Sequence, residues 1–328
     1  MNYTIQQIAT LLQLPDKHLY PAEISLLLTD SRRLTHPAST LFFALETRSN
    51  DAHIFVSDLY REGVRNFVVT KMLPGWETLT DANFLKVRNS LFALQKIAAW
   101  HRSHYEIPVI GITGSNGKTI VKEWLYQLLD KNYNITRSPR SYNSQVGVPL
   151  SVWQLDEKTE LGIFEAGISM PDEMENLESV IKPTIGVLTK IGEAHQENFT
   201  SLQQKCMEKL ELFINCDVFI FDEDNDLVSR CVELMVLSQK TFSWSRRNQE
   251  APLFISAVEK NGDQTTIRYT FLSFDYSFHI PFTDEASIEN AINCLAVALY
   301  LHVSPSDISQ RMMQLEPVAM RLDLRKGK

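Results

Sequence analysis

The sequence has little of what marks a membrane, secreted or nucleic-acid-binding protein. No apolar run approaches the roughly 18 residues of a membrane span, and no basic stretch followed by an apolar one stands at the N-terminus. The net charge is -8, whereas binding to a nucleic-acid backbone needs clustered lysine and arginine. We therefore expect a cytoplasmic protein without a membrane span or a nucleic-acid partner, which leaves small nucleotides open as ligands.

Cysteine is also scarce, and its spacing is not that of a metal site. The cysteines form no C-x-x-C pair, and no histidine stands near them at metal-ligand spacing. We expect buried free thiols in a reducing compartment. There are four: Cys206, Cys216, Cys231 and Cys294. Internal repeats and low-complexity segments are absent as well.

The length of 328 residues and a hydrophobic fraction of 44% are enough for two domains with sizeable cores. The pattern of residues 1–85 predicts a small mixed α/β unit. A linker helix follows within residues 86–106, and Ser90 could cap it. Residues 107–318 predict a second, larger domain. In the first unit the periodicity predicts helices over 5–12 and 56–62 and strands over 41–45 and 67–69.

From residue 107 onward, short apolar segments alternate with helical ones. The segments 161–164, 184–188 and 217–221 carry apolar residues at successive positions, which is typical of a parallel sheet covered on both faces. Ligands of such sheets bind at the carboxyl ends of the strands. Residues 252–282 differ, because they predict antiparallel strands with a turn at Asn261-Gly262. A helix over 287–301 follows, so the fold class is α/β with an added antiparallel segment.

One glycine-rich segment organises the second domain. Residues 110–119 read Ile-Gly-Ile-Thr-Gly-Ser-Asn-Gly-Lys-Thr, between an apolar strand and an amphipathic helix. Such a turn aims backbone N–H groups and a helix N-terminus at one point, which favours a bound phosphate. Lys118 would add positive charge and Thr119 a hydroxyl for magnesium. The alternative is a glycine-rich turn without function, which the flanking strand and helix disfavour.

Two further polar groups stand where strands of the same domain end. Glu165 follows the strand over 161–164, and His195 follows the strand over 184–188. A carboxylate and an imidazole near a phosphate loop suit a magnesium site. Glu165 could instead be a surface or capping residue. In the first domain, the polar clusters 29–32 and 48–53 could be solvated turns.

Together these motifs resemble the Mur ligase family, whose members are ATP-dependent enzymes that form amide bonds. The general phosphate-loop pattern has glycine where this chain has Ile112, and the tighter Thr-Gly-x-x-Gly-Lys-Thr form is that of the Mur ligase and folylpolyglutamate synthetase superfamily. Residues 143–149, 165–167 and 191–195 match further segments of the family. Ser115 favours its dipeptide-adding members. The likeness implies a central P-loop ATPase domain over 107–318 and a UDP-binding first domain over 1–85.

The resemblance implies a set of site residues. ATP would contact Gly114, Ser115, Asn116, Gly117, Lys118, Thr119, Asn290 and Arg321. Magnesium would be held by Thr119, Glu165, His195 and Lys209. Catalysis would rest on Lys118, Lys209 and His195, and substrate binding on Ser31, Arg32, His53 and Asn143. The chain departs from the family pattern at Glu46, Ala52, Ser141, Ser144, Gln145, Glu289, Cys294 and Met320.

In most Mur ligases a lysine before an L-x-[IL]-[FY] pattern carries a carbamate made from CO₂, and this carboxylate helps to position magnesium. Lys209 occupies that position here, and Lys205, one helical turn earlier, is the competitor. A carbamate needs some neutral amine and a cation that stabilises the product. The plain alternative is a solvated lysine on a charged helix.

The dipeptide-adding branch implies UDP-MurNAc-tripeptide and D-alanyl-D-alanine as substrates, joined through an acyl phosphate. Residues 319–328 resemble the start of the linker to a third domain, which brings the amine in the family; we expect the 328-residue chain alone to lack ligase activity. A gene fusion to an alanine racemase would also fit. Two other classes stay open: a folylpolyglutamate- or cyanophycin-type ligase, and a non-catalytic nucleotide-binding module.

Overall fold

The computed structural model describes residues 2–47, 50–192 and 198–318, and these fall into two compact units. The first unit comprises Met1–Glu106 and Gln145–Glu157, and the second comprises Ile107–Ser144 and Lys158–Lys328. A mixed α/β architecture with parallel sheets is therefore confirmed.

The first unit is built on a four-stranded sheet in the order β3-β4-β5-β6, in which all neighbours are parallel. A two-stranded antiparallel ribbon joins β1 to β2. The strands are β1 (Tyr3–Thr4), β2 (Glu23–Ile24), β3 (Leu26–Leu28), β4 (Thr40–Phe43), β5 (Asn66–Val69) and β6 (Asn83–Lys86). The helices are α1 (Ile5–Leu11), α2 (Val56–Arg61), α3 (Ser90–Arg102) and α5 (Gly147–Val152).

The periodicity located α1, α2 and α3 and the strands β4 and β5 of this unit, whereas α5, β3 and β6 were not predicted. The predicted cap of α3 is wrong by one residue. Asn89 is the cap, and its side chain accepts a hydrogen bond of 2.9 Å from the backbone N–H of Phe92. An amide oxygen performs this role as well as a hydroxyl does.

Residues 145–157 lie in the first unit, although the sequence-based boundaries place them in the larger domain. Trp153 Nε1 donates to the Ser25 carbonyl at 2.8 Å, and Gln95 Nε2 donates to Gln145 Oε1 at 2.8 Å. These contacts join residues far apart in the chain, which local pattern does not reveal. The functional boundaries of the domains stay a prediction.

The second unit contains the predicted parallel sheet, whose order is β11-β10-β7-β9-β8. Every residue of the central strand β7 is buried, as its unbroken apolar run requires. The strands are β7 (Val109–Thr113), β8 (Ile135–Arg137), β9 (Leu161–Glu165), β10 (Ile185–Leu188) and β11 (Val218–Ile220). The helices are α4 (Lys118–Leu129), α6 (Met174–Ile181), α7 (Leu202–Leu210), α8 (Asp226–Leu234), α9 (Glu285–Tyr300) and α10 (Pro305–Met312).

A second sheet of this unit has the order β12-β13-β14-β15 and contains the predicted antiparallel strands. Gly262, at φ +61°, forms the predicted turn between β13 and β14. Its strands are β12 (Trp244–Ser245), β13 (Leu253–Asn261), β14 (Gln264–Phe271) and β15 (Phe274–Ile280). Helix α9 joins the two sheets through one hydrophobic core that includes Ile110, Leu295 and Ile267.

The four cysteines are buried and free of disulfide bonds, as expected. Within the three described ranges, no helix combines the length and the apolar character needed to cross a membrane.

Candidate nucleotide-binding site

The phosphate loop has the predicted strand–turn–helix form. Strand β7 ends at Thr113 and helix α4 begins at Lys118. Gly114 and Gly117 have φ values of +145° and +88°, a region that side-chain-bearing residues rarely adopt. A Cβ on Gly114 would lie 1.9 Å from Thr189 Oγ1, so glycine is also needed there for close approach. The glycine turn thus leads directly into the N-terminus of α4, whose first backbone N–H groups suit an anion.

The segment after β10 holds this loop in place. The Ser115 N–H donates to the Lys190 carbonyl at 2.8 Å, and Ser115 Oγ lies 3.0 Å from the Gly192 carbonyl. The Thr189 hydroxyl donates to the Asn116 carbonyl at 2.5 Å. The loop is therefore fixed by neighbouring backbone before any ligand binds.

Lys118 lies half-buried at the mouth of the loop. Its amine donates to the Gly114 carbonyl at 2.8 Å. Burial lowers the pKa of Lys118, the carboxylate of Glu165 opposes this shift, and the positive charge of Lys205 adds to it. A partly desolvated amine attracts an anionic group more strongly than a solvated one does.

Glu165, at the end of β9, is fully buried beside the phosphate loop, as the strand-end argument predicted. Thr119 Oγ1 donates to Glu165 Oε2 at 3.0 Å, and Asn143 Nδ2 donates to the same oxygen at 3.3 Å. Strands β7 and β9 are parallel neighbours, which places the loop and the carboxylate at one edge of the sheet. The Thr119 hydroxyl, the Glu165 carboxylate and the Asn143 amide thus lie together, and their oxygens are possible ligands of a metal ion.

Lys122 is a member of this cluster that sequence reasoning missed. Its amine lies 3.2 Å from Glu165 Oε1 and donates to the Ser138 carbonyl at 2.7 Å. The side chain is fully buried. The available signal was its spacing, one helical turn after Lys118 in a helix whose neighbouring positions face the core.

Helix α7 carries two buried lysines, Lys205 and Lys209, and Lys209 is the predicted carbamate position. The Lys205 amine donates to the Gly192 carbonyl. Burial lowers the pKa of Lys209 to about 7, and the positive charges of Lys118 and Lys205 contribute. The buried Lys209 amine therefore loses its proton more readily than a solvated lysine does, and the alternative of a solvated lysine does not hold.

Two predicted site residues, His195 and Arg321, lie outside the described residues. Asn290 is buried in α9, close to the phosphate loop: a Cβ on Gly117 would lie 2.4 Å from Asn290 Oδ1. The structure thus brings Asn290 to the loop, as the predicted nucleotide contact requires.

A cavity of about 310 Å³ opens beside the phosphate loop at the carboxyl ends of β10 and β11. Thr189 and Lys190 line it and also hold the loop, so the two features share a wall. Arg246 lines it as well, with Nε and Nη2 buried and without hydrogen-bond partners among the described residues. Asp222 also lines the cavity, and burial raises the pKa of its carboxyl group to about 6. Sequence reasoning missed this cavity because separate chain segments form it. Its other lining residues are Leu188, Ile191, Asp224, Asn225, Val228, Trp244, Arg247, Glu289 and Asn293.

In the first unit, the predicted substrate residues lie after neighbouring parallel strands. Ser31 and Arg32 form a short 3-10 helix after β3, capped by Asp30. The Arg32 side chain is 86% exposed and donates through Nε to Asp30 Oδ1 at 2.8 Å. His53 follows β4 and is fully buried, with Nε2 accepting from the Thr70 N–H at 3.0 Å. His53 thus orders its loop, while direct contact of these residues with a substrate stays a prediction.

Glu46, Asp51 and His53 cluster closely enough to resemble a metal site. The Lys71 amine, however, lies 2.7 Å from Asp51 Oδ2 and 3.2 Å from Glu46 Oε1. Its hydrogen bond is the main reason why the pKa of Asp51 is lowered. His53 Nδ1 faces Asp51 at 2.5 Å, so both ring nitrogens are engaged. The lysine supplies the positive charge, and we interpret the cluster as a network of ion pairs.

A glycine loop between the central strand of a parallel sheet and a helix, with a lysine and a buried carboxylate beside it, defines a P-loop α/β domain. The family model described as the Mur ligase middle domain matches residues 112–298, more than half of the chain. The chain therefore belongs to the Mur ligase family.

Relatives and solved structures extend the similarity beyond that domain. The UDP-N-acetylmuramoyl-tripeptide–D-alanyl-D-alanine ligase of Bacillus subtilis is 27% identical over 299 residues, covering 90% of this chain and 63% of that protein. The crystal structure of MurF from Acinetobacter baumannii has a TM-score of 0.86 at 24% identity, covering 98% and 70%. MurF from Thermotoga maritima in complex with ADP has a TM-score of 0.76 at 20% identity, covering 89% and 66%. The chain spans about three fifths of the length of the curated relatives it matches.

Proposed function

We propose that this chain is the nucleotide- and UDP-substrate-binding part of a ligase that adds D-alanyl-D-alanine to UDP-MurNAc-tripeptide. The proposal rests on the phosphate loop, whose Thr119 hydroxyl donates to Glu165. It rests also on the similarity of 90% of the chain to a UDP-N-acetylmuramoyl-tripeptide–D-alanyl-D-alanine ligase. ATP is the expected phosphoryl donor, because a lysine, loop amides and a helix N-terminus converge where its phosphates would bind.

The residues present fit a magnesium ion. Magnesium prefers oxygen ligands, one or two of which are carboxylates. Glu165 and the Thr119 hydroxyl supply such oxygens 3.0 Å apart beside the loop. His195 and carbamylated Lys209 complete the proposed ligand set. Magnesium would neutralise phosphate charge in the site.

In the proposed reaction, a carboxylate oxygen of the tripeptide attacks the γ-phosphorus of ATP, and the bond from that phosphorus to the bridging oxygen breaks as ADP leaves. The amine of D-alanyl-D-alanine then attacks the acyl carbon, loses a proton and displaces phosphate. Lys118 and the loop N–H groups would stabilise negative charge on the transferring phosphoryl group. The chain's contribution is positioning and charge neutralisation.

The cavity beside the loop is the proposed place for the nucleoside. It shares Thr189 and Lys190 with the wall of the phosphate loop, so phosphates on the loop place the sugar and base towards it. The partnerless donors of Arg246 offer hydrogen bonds to ligand acceptors. The wall combines apolar side chains, among them Val228 and Trp244, with polar ones, and this mixture suits a heterocycle and a sugar.

The function is tested by calorimetric titration of the 328-residue chain with UDP-MurNAc-tripeptide, UDP and a folate polyglutamate. We expect the two UDP compounds to bind competitively and the folate not to bind. Arg32→Met should weaken UDP binding without changing stability, because that side chain is largely exposed. Folate binding without UDP binding would favour the folylpolyglutamate-type alternative and contradict the proposal.

Lys209 provides a test that depends on pH. The neutral amine attacks the carbon of CO₂, forms an N–C bond and releases one proton, so modification needs the deprotonated lysine. Since the pKa of Lys209 is lowered to about 7, the modified fraction at equal dissolved CO₂ should rise between about pH 6 and about pH 8. Nuclear magnetic resonance with isotopically labelled bicarbonate measures that fraction.

Matched variants identify the lysine that carries the carbamate. Lys209→Arg should abolish the labelled signal, whereas Lys205→Arg should retain it, since both keep a positive charge in the helix. A signal that survives in Lys209→Arg and disappears in Lys205→Arg would move the carbamate to Lys205.

Gly117 and Gly75 form a pair that separates backbone strain from loss of a ligand contact. They have φ values of +88° and +92°, but only Gly117 has a neighbour, Asn290, where a Cβ would stand. Replacing either by alanine should cost about 1–2 kcal/mol of stability through its positive φ. Only Gly117→Ala should also lower ATP affinity, by up to about tenfold, as Asn290 is displaced. Equal ATP affinity in the two variants would contradict the assigned role of Asn290.

A further inference from the structure

Lys122 is a buried cation that does not reach the ligand site itself. It lies on α4, one helical turn after Lys118, and its side chain has no solvent exposure. Its amine donates to the carbonyls of Ser138 and Arg140 and to Glu165 Oε1. Glu123 Oε1 lies 3.0 Å from the same amine, so four acceptors surround the three N–H donors of the ammonium group. No donor is left for a nucleotide, so any effect of Lys122 on binding must act through other residues.

The first such residue is Glu165. Both side chains have zero exposure, and their charged atoms lie 3.2 Å apart. A buried carboxylate without a partner is costly and tends to reorient or take up a proton. Lys122 contacts Oε1 at 3.2 Å and Asn143 contacts Oε2 at 3.3 Å, while Thr119 Oγ1 lies 3.3 Å from Oε1 and 3.0 Å from Oε2. Lys122 and Asn143 thereby hold the two oxygens of the carboxylate, both within reach of the Thr119 hydroxyl.

The second target is the segment 138–143, which carries Asn143 to the site. Lys122 binds two of its carbonyls, those of Ser138 and Arg140. Arg140 has φ +51°, a strained value for a residue with a side chain, so the surrounding contacts must maintain it. The same segment places the Ser141 hydroxyl 3.4 Å from Thr119 Oγ1. The Lys122 amine, which belongs to the phosphate-loop helix, thus contacts both the end of β9 and this segment.

We propose that Lys122 is a positioning residue that orients Glu165 and the segment 138–143, and so sets how strongly nucleotide binding depends on a divalent cation. The inference rests on the proposed function, because it assumes that Glu165 serves a magnesium ion bound with ATP. Groups that orient a metal ligand typically contribute 10–100-fold to metal affinity. If Lys122 acted only through its charge, it would repel a cation, and its removal would strengthen binding. The two accounts therefore predict opposite changes in magnesium affinity when Lys122 is removed.

The test measures ATP affinity of the 328-residue chain by calorimetry, with chelator and across a magnesium titration. The variants are Lys122→Met, which removes the amine, and Lys122→Gln, which keeps a hydrogen-bond donor. Lys131→Met is the matched control, because that lysine is exposed just after α4. We expect Lys122→Met to raise the half-saturating magnesium concentration about 10- to 100-fold, Lys122→Gln to raise it less, and Lys131→Met to leave it unchanged. Affinity without magnesium should stay the same in all of them.

The outcomes separate the inference from the function on which it rests. A wild-type chain that binds no ATP with or without magnesium would overturn the proposed function and the role of Lys122 with it. A wild-type chain with magnesium-enhanced binding, together with an unchanged or lower half-saturating concentration in Lys122→Met, would overturn the role of Lys122 alone. If circular dichroism shows that Lys122→Met is unfolded, Lys122→Gln decides by the same criterion.

Discussion

Replacing Lys118 with alanine should lower the affinity of the chain for magnesium-ATP by about 10- to 150-fold, the range expected when one hydrogen bond to a charged group is lost. The Lys118 amine lies at the mouth of the loop and donates to the Gly114 carbonyl at 2.8 Å. Calorimetric titration with a non-hydrolysable ATP analogue measures the change.

The control for this prediction is Lys131→Ala, which removes an exposed lysine just beyond the same helix. Stability should hardly change in Lys118→Ala, because its amine contacts one carbonyl and its burial lowers its pKa. A Lys118→Ala protein with wild-type affinity would contradict the assignment of this loop to phosphate. So would an equal loss of affinity in Lys131→Ala.

Replacing Glu165 with glutamine should have the largest effect on stability, about 1.5–3 kcal/mol, which is the usual cost of losing a buried hydrogen bond between charged groups. The change removes the 3.2 Å partner of the fully buried Lys122 ammonium and leaves Glu123 Oε1, at 3.0 Å, as its carboxylate partner. It should also remove most of the enhancement of ATP binding by magnesium, since an amide is a much weaker ligand than a carboxylate. Urea unfolding monitored by tryptophan fluorescence, together with a magnesium titration, measures both effects.

Two further variants show the cause of these changes. Glu165→Gln combined with Lys122→Met removes both charges and should recover most of the stability, but not the magnesium effect. Glu233→Gln changes an exposed glutamate on α8 and should change neither. Retention of full magnesium enhancement in Glu165→Gln would remove this residue from the proposed metal site.

The phosphate loop and the position of Glu165 could be predicted because both depend on short-range pattern. A glycine turn between an apolar strand and an amphipathic helix fixes the loop, and parallel neighbours bring strand ends to one edge. The register of β7 and β9 confirms this reasoning, with Ile112 opposite Glu165. The antiparallel segment was predicted for a similar reason, since its turn residues and alternating strands adjoin one another in the chain.

Other features of the site had a weaker local signal, such as the helical spacing of Lys122, or none. A lysine at position 122 of an amphipathic helix reads as solvated, and only the packing of α4 against β9 and the segment 138–143 encloses it. The polar cluster around His53 could be a solvated turn by its sequence, yet the His53 side chain is fully buried and hydrogen-bonded to Asp51 and Thr70. The cavity beside the loop combines residues from four stretches of chain: 188–191, 222–228, 244–247 and 289–293.

The sequence by itself determined the class of site: residues 114–119 and the apolar strand before them specify a phosphate loop, because turn geometry and periodicity are properties of neighbours in the chain. Only the tertiary structure decided which charged side chains of the site are buried and which of them are paired. It paired Lys122 with Glu165, lowered the pKa of Lys209 to about 7, and assigned residues 145–157 to the first unit. Burial and ion pairing depend on which distant segments meet, and that is settled when the sheets and helices pack together.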